Sequence, residues 1–124
     1  MTDQSPDAIF DLFAGQELTD VTFIQEYIQF AFGESAMTIL APMHISTSEI
    51  SVANNQENFK HTLGGLIGSQ VKNVGLKDSK TLVIDLEEGA VISISLEPQS
   101  FDVPESVLLY GPEDQILSLP MTDE

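Results

Sequence analysis

Apolar side chains recur along the chain in short runs with a period close to two: Leu18, Val21 and Phe23; Ile28, Phe30 and Phe32; Leu82, Ile84 and Leu86; Ile92, Ile94 and Leu96. That period sets alternate side chains on opposite sides of a strand, so each run predicts a half-buried β-strand. Further strands are expected over 44–52 and 106–110, with a last one at 115–119. Asp78-Ser79 and Glu87-Glu88-Gly89 read as turns. Two segments are helical in pattern instead. In the first, Ile9, Phe10, Leu12 and Phe13 form the apolar face. Ser5 is its expected cap, Pro6 suits its first turn, Asp7 complements its dipole and Gly15 ends it. The second is predicted from about residue 55 to 67, with Phe59, Leu63, Leu66 and Ile67 on one side. Gly64-Gly65 weakens its last turn by up to ~1 kcal/mol per glycine.

The two halves of the chain read alike. Gly15 falls on Gly68, Leu18 on Val71, Val21 on Val74 and Phe23 on Leu76, all at one offset. Beyond them Ile28-x-Phe30-x-Phe32 matches Leu82-x-Ile84-x-Leu86, and Met37-x-Ile39 matches Ile92-x-Ile94. The fold class this predicts is α+β, a helix followed by an antiparallel β-meander, αββββ, present twice. The repeats span 5–52 and 55–119 of a single domain, 1–124. Each unit alone would bury little surface. The halves are therefore expected to share one core, as two packed sheets or one strongly bent sheet.

Charge narrows the partners. Twenty acidic residues stand against four lysines and no arginine, a formal charge of −16 on 124 residues. The lysines, Lys60, Lys72, Lys77 and Lys80, all fall in residues 60–80. Such a field repels nucleic acid and anionic membrane and steers basic proteins toward the surface. The 42% hydrophobic content argues against an acidic disordered tail. There is no cysteine, which removes disulfides, thiolate metal sites and thiol nucleophiles together. The first residues lack the features of a signal peptide, and no apolar run nears the ~20 residues of a membrane span. A soluble cytoplasmic protein is expected.

Catalytic groups are sparse. His44 and His61 are the two histidines. Nothing sets a serine in a nucleophile elbow, so His44 reads as a strand or turn histidine with an ordinary hydrogen bond, and His61 as part of a solvated helix face. Acid pairs such as Glu87-Glu88 and Glu113-Asp114 sit at expected turns, where carboxylates are ordinarily just hydrated. Gly64-Gly65-x-x-Gly68 closes a helix rather than opening one, unlike a phosphate loop. No calcium-loop pattern occurs. The reading is a protein that is not an enzyme and carries no cofactor or metal.

Three stretches carry a resemblance: G-x-x-[LV]-x-x-V-x-[FL] in both halves, F-x-F-x-x-S-x-M-x-I-L-x-P at 30–42, and E-x-G-A-x-I-S-I within 82–94. The segment Glu105 to Asp114, with its closing Gly111-Pro112, adds a fourth. With its size and acidity, the chain resembles a bacterial immunity protein of a polymorphic or contact-dependent growth-inhibition toxin system. The resemblance implies a partner, the basic C-terminal nuclease domain of a toxin, bound one to one rather than through a homodimer. It supplies no site residues.

Those come from the pattern itself, where acids and tyrosines meet on outward positions. Asp20, Glu26 and Tyr27 form one candidate partner-binding group on the first hairpin. Asp85, Glu87 and Glu88 form its counterpart, and Tyr110, Glu113 and Asp114 a third. Competing readings are an acidic secretion chaperone, which needs an exposed apolar groove, a DNA mimic, which needs ordered rows of acids, and a small-ligand module with a deep pocket.

Overall fold

Helix α1 (Pro6–Asp11) begins on the proline whose fixed φ suits a first turn. A computed structural model describes residues 6–24, 27–53, 56–77, 80–96, 107–113 and 115–119. Ser5 and Asp78-Ser79 lie outside them. Five strands follow α1: β1 (Asp20–Ile24), β2 (Tyr27–Phe32), β3 (Ser35–Ile39), β4 (Met43–Ser46) and β5 (Ser51–Ala53). After α2 (Phe59–Gly64) come β6 (Val71–Lys77), β7 (Thr81–Leu86), β8 (Val91–Ser95), β9 (Val107–Tyr110) and β10 (Ile116–Leu119).

Two expectations need correction. The strand expected over 44–52 is a hairpin, so among the described residues five strands follow α1, as five follow α2, rather than the four of an αββββ unit. Thr47 closes that hairpin: its N–H donates to Ile50 O at 2.8 Å. Its Oγ1 accepts from the N–H groups of Glu49 and Ile50 at 3.2 and 3.1 Å. The second helix is also shorter than the predicted 55–67. Residues 57–58 turn into it, and the glycine pair ends it at Gly64, with Gly65 N–H bonded back to His61 O at 3.1 Å.

The molecule is mostly β, in two antiparallel sheets of five strands. Their orders are β1-β2-β3-β9-β10 and β5-β4-β8-β7-β6. Each sheet thus combines a three-stranded meander from one half of the chain with a hairpin from the other. β3 pairs with β9, Ala36 opposite Tyr110, and β4 pairs with β8, Ile45 opposite Ile92. The helices cross over in the same sense: α1 packs on β6 and β10, α2 on β4 and β5.

Alternation decides the interior. Phe30, Met37, Leu109 and Leu117 stand in register across the first sheet, Ile84, Ile92, Ile45 and Val52 across the second, and all are buried. They join one hydrophobic cluster with Ile9, Phe10, Phe13, Phe59 and Leu63 from the helices and their ends. Phe13 meets Phe32 edge to face, centroids 5.4 Å apart, and Phe32 meets Phe30 likewise at 6.1 Å. Such pairs add ~0.5–1.5 kcal/mol beyond the area they bury.

The halves also meet directly. Gly15 N–H donates to Val71 O, Gly68 N–H to Leu18 O, Leu18 N–H to Ser69 O and Val71 N–H to Gln16 O, each at 2.8 Å. Glu17 and Gln70 form the antiparallel bridge between them. Every bond has a reciprocal at the offset that aligns Gly15 with Gly68, as at a two-fold contact between identical surfaces.

Candidate protein-binding surface

Residues directly opposite in a ladder share a face of the sheet. Asp20, Ala31, Ala36, Tyr110 and Ile116 are such a row, running across the outer face of the first sheet. Asp20 is exposed at one end of it and Tyr110 half-buried between Ala36 and Ile116. The sequence pattern groups Asp20 with Tyr27. The register separates them, since Tyr27 is opposite Ile24 at the far end of β1, about 13 Å away at roughly 3.3 Å per residue. Asp20 instead shares its row with Tyr110, a residue of the third group.

The other two groups hold together because each is local. Half-buried Asp85 lies opposite Val91 across the β7–β8 turn, and exposed Glu87 and Glu88 are in that turn. Tyr110 ends β9 and Glu113 lies in the turn to β10, its N–H donating to Gln115 Oε1 at 2.8 Å. Glu26 and Asp114 lie outside the described residues.

Strand direction gathers acids that spacing along the chain does not. At the end of the first sheet where β1 begins stand Asp20, Glu34 in the β2–β3 turn, and Glu113 in the β9–β10 turn. At the end of the second sheet where β6 begins stand Asp85, Glu87, Glu88 and Glu49 of the β4–β5 turn. Glu17, exposed, bridges to Gln70 between these two ends, and Gln70 O accepts from Glu87 N–H at 2.9 Å. Lys72 is the lysine at this acid-rich end. Lys77 and Lys80 flank the β6–β7 connection at the other end of the second sheet. Lys60 on α2 holds its Nζ 5.1 Å from the ring centroid of Phe23, near the far end of β1. Sequence reasoning pairs Glu17 with Asp20 as near neighbours but assigns no partner-binding role to it, to Glu34 or to Glu49. For Glu34 the signal was Gly33 beside it, at φ +69°, a turn residue between two strands.

Other chemistry is shallow. His44 Nε2 lies 2.6 Å from Ser51 Oγ on the open face of the β4–β5 hairpin, and both residues are exposed. Among the described residues the His44 ring has no second hydrogen bond. Asn73, Gly75, Lys77, Val83 and Asp85 line an open depression of about 360 Å³ on the β6–β7 surface. No cluster of His, Cys, Asp or Glu among the described residues is arranged to hold a metal ion. Among the same residues no helix is long and apolar enough to cross a membrane. No family model matches the chain, and no curated protein or solved structure does either.

Proposed function

We propose that this chain is an immunity-type inhibitor, a cytoplasmic protein that neutralises a basic toxin domain, probing it with its acid-rich end and acting by binding rather than catalysis. The observation that carries the reading is the collection of carboxylates from both halves of the chain at one end of the two sheets. At physiological ionic strength the Debye length is ~8 Å, so carboxylates on neighbouring turns act on an approaching cation together. A field of this kind accelerates encounter, and it loses strength with salt.

The same reading takes the chain as a duplicated unit whose halves exchange hairpins. Support comes from the helix-plus-five-strand order occurring twice, the strand pairing exchanged between halves, and the reciprocal bonds around Glu17 and Gln70. Duplication accounts for acids converging from distant parts of the chain, because corresponding turns end beside one another.

The test is association with the product of the adjacent toxin-like reading frame. One-to-one binding that protects cells is expected, with an association rate falling at least about tenfold between 20 and 200 mM salt. The triple variant E34K/E87K/E88K, altered only at exposed turns, is expected to slow association further while unfolding at a similar temperature. A rate indifferent to both salt and this variant discards the acid-rich end as the recognition element.

A further inference from the structure

Each sheet has two edges, and three of the four are guarded. β5 and β10 are short, and α2 and α1 pack against them. β6 is long but carries Lys72 and Lys77, with a register shift between Val71 and Asn73 that leaves Lys72 as the extra residue. Lysines and bulges are the devices that keep an exposed edge from pairing. They account for Lys72 and Lys77, two of the four lysines of so acidic a chain.

β1 has no such guard. It bears no lysine of its own and no register shift among the described residues; Lys60 of α2 reaches it at Phe23 alone, and Phe23 and Ile24 are 39% and 38% exposed. Its backbone faces outward at alternate residues. Val21 N–H donates to the carboxylate of Asp20 at 2.9 Å, so it points away from β2. Alternation in an antiparallel ladder directs the N–H and C=O of Phe23 the same way.

We propose that β1 is where the partner docks, by adding an extended lysine- or arginine-bearing segment to the first sheet as a sixth strand. This rests on the reading of a basic partner and names the surface that holds it. A carbonyl of the incoming strand takes the Val21 N–H, and the Asp20 carboxylate released from it pairs with a cationic side chain. Main-chain bonds then hold the segment, while exposed Phe23 and Ile24 supply apolar contact. Charge selects both occupant and edge. A second copy brings another −16 body against the first. β6 sets two lysines within its own strand against a basic segment, whereas β1 sets Asp20 in its strand and meets Lys60 only at Phe23. The acid-rich end governs approach, and the β1 edge governs residence.

The experiment uses the full chain, labelled with ¹⁵N, and a capped heptapeptide, Lys-Val-Lys-Thr-Lys-Val-Lys, as the probe. Saturable amide shifts at residues 20–24 are expected, with at least about tenfold slower hydrogen exchange at Val21 and Phe23, and none at 71–77. The peptide with glutamate for lysine gives no shift. T22K puts on β1 the guard that β6 carries and is expected to weaken binding at least about tenfold. F23P removes an edge donor and acts alike, whereas L76P on the β6 edge leaves affinity unchanged. Shifts confined to β6 or to the acidic turns, or no shift at β1, overturn the proposal. Concentration-dependent protection of β1 without peptide overturns it in favour of a second copy. Peptide binding at β1 by a chain that ignores the toxin domain removes the immunity reading and leaves the edge standing.

Discussion

Ser35 is 3% exposed, and its Oγ has no hydrogen-bond partner among the described residues. It opposes Phe32 across the β2–β3 turn. The corresponding turn of the second half sets Leu86 N–H on Ala90 O at 2.9 Å, and Ala90 is 5% exposed. One half thus buries a hydroxyl where the other buries a methyl. An unsatisfied buried hydroxyl costs roughly 1–3 kcal/mol. S35A is expected to raise unfolding free energy by about 1 kcal/mol in urea titration; a drop would mean that the hydroxyl is satisfied. At this scale the sequence was uneven as a guide to the site. Glu87, Glu88, Tyr110 and Glu113 were legible because a turn keeps neighbours in sequence near in space. The grouping of Asp20 with Tyr27 failed because both border one hairpin, yet the register sets them at opposite ends of its ladder.

Among elements, the glycines that close the turns after the helices carry the clearest signal; α1 ends at Asp11 and α2 at Gly64, ahead of both. Gly15 and Gly68 have φ +85° and +101°, and a Cβ at either would meet nothing within 4 Å. The cost of a side chain there is therefore conformational, roughly 1–2 kcal/mol for a left-handed residue. G15A and G68A are each expected to lose that much stability, and by similar amounts, measured by urea denaturation. A clear inequality would mean that the two turns are not equivalent. The strand misread over 44–52 carried its own warning. Ile45 and Val52 are both buried though an odd number of residues apart, which one continuous strand cannot arrange. Thr47-Ser48-Glu49 between them is the polar cluster that turns the chain. Helix ends were overextended for a different reason: apolar Leu66 and Ile67 continue the pattern past the glycines, but the backbone has already left the helix.

For the whole molecule, exchange of hairpins makes each half depend on the other. Cut between Asn54 and Asn55, neither fragment keeps the two strands that complete its own three-stranded meander. Fragments 1–54 and 55–124 are each expected to lack cooperative unfolding alone. Mixed, they regain β-sheet circular dichroism with a concentration-dependent midpoint, as association requires. Independent folding of either fragment would contradict the dependence.

The sequence by itself determined the periodicities, hence most strands and both helices, the inward faces, the glycine stops and the acidity. These follow from local chemistry: alternation tells which side of a strand is apolar, and glycine tells where the backbone turns left-handed. Tertiary structure decided the rest. Alternation names the buried face of a strand but not its neighbour. Pairing β3 with β9 and β8 with β4 closes long loops, whose cost grows only slowly with length. Backbone bonds are the same for any partner, so the choice fell to the fit of the whole core. From that choice came the convergence of distant acids at one end and, among the described strands, a β1 edge without a lysine or register shift of its own.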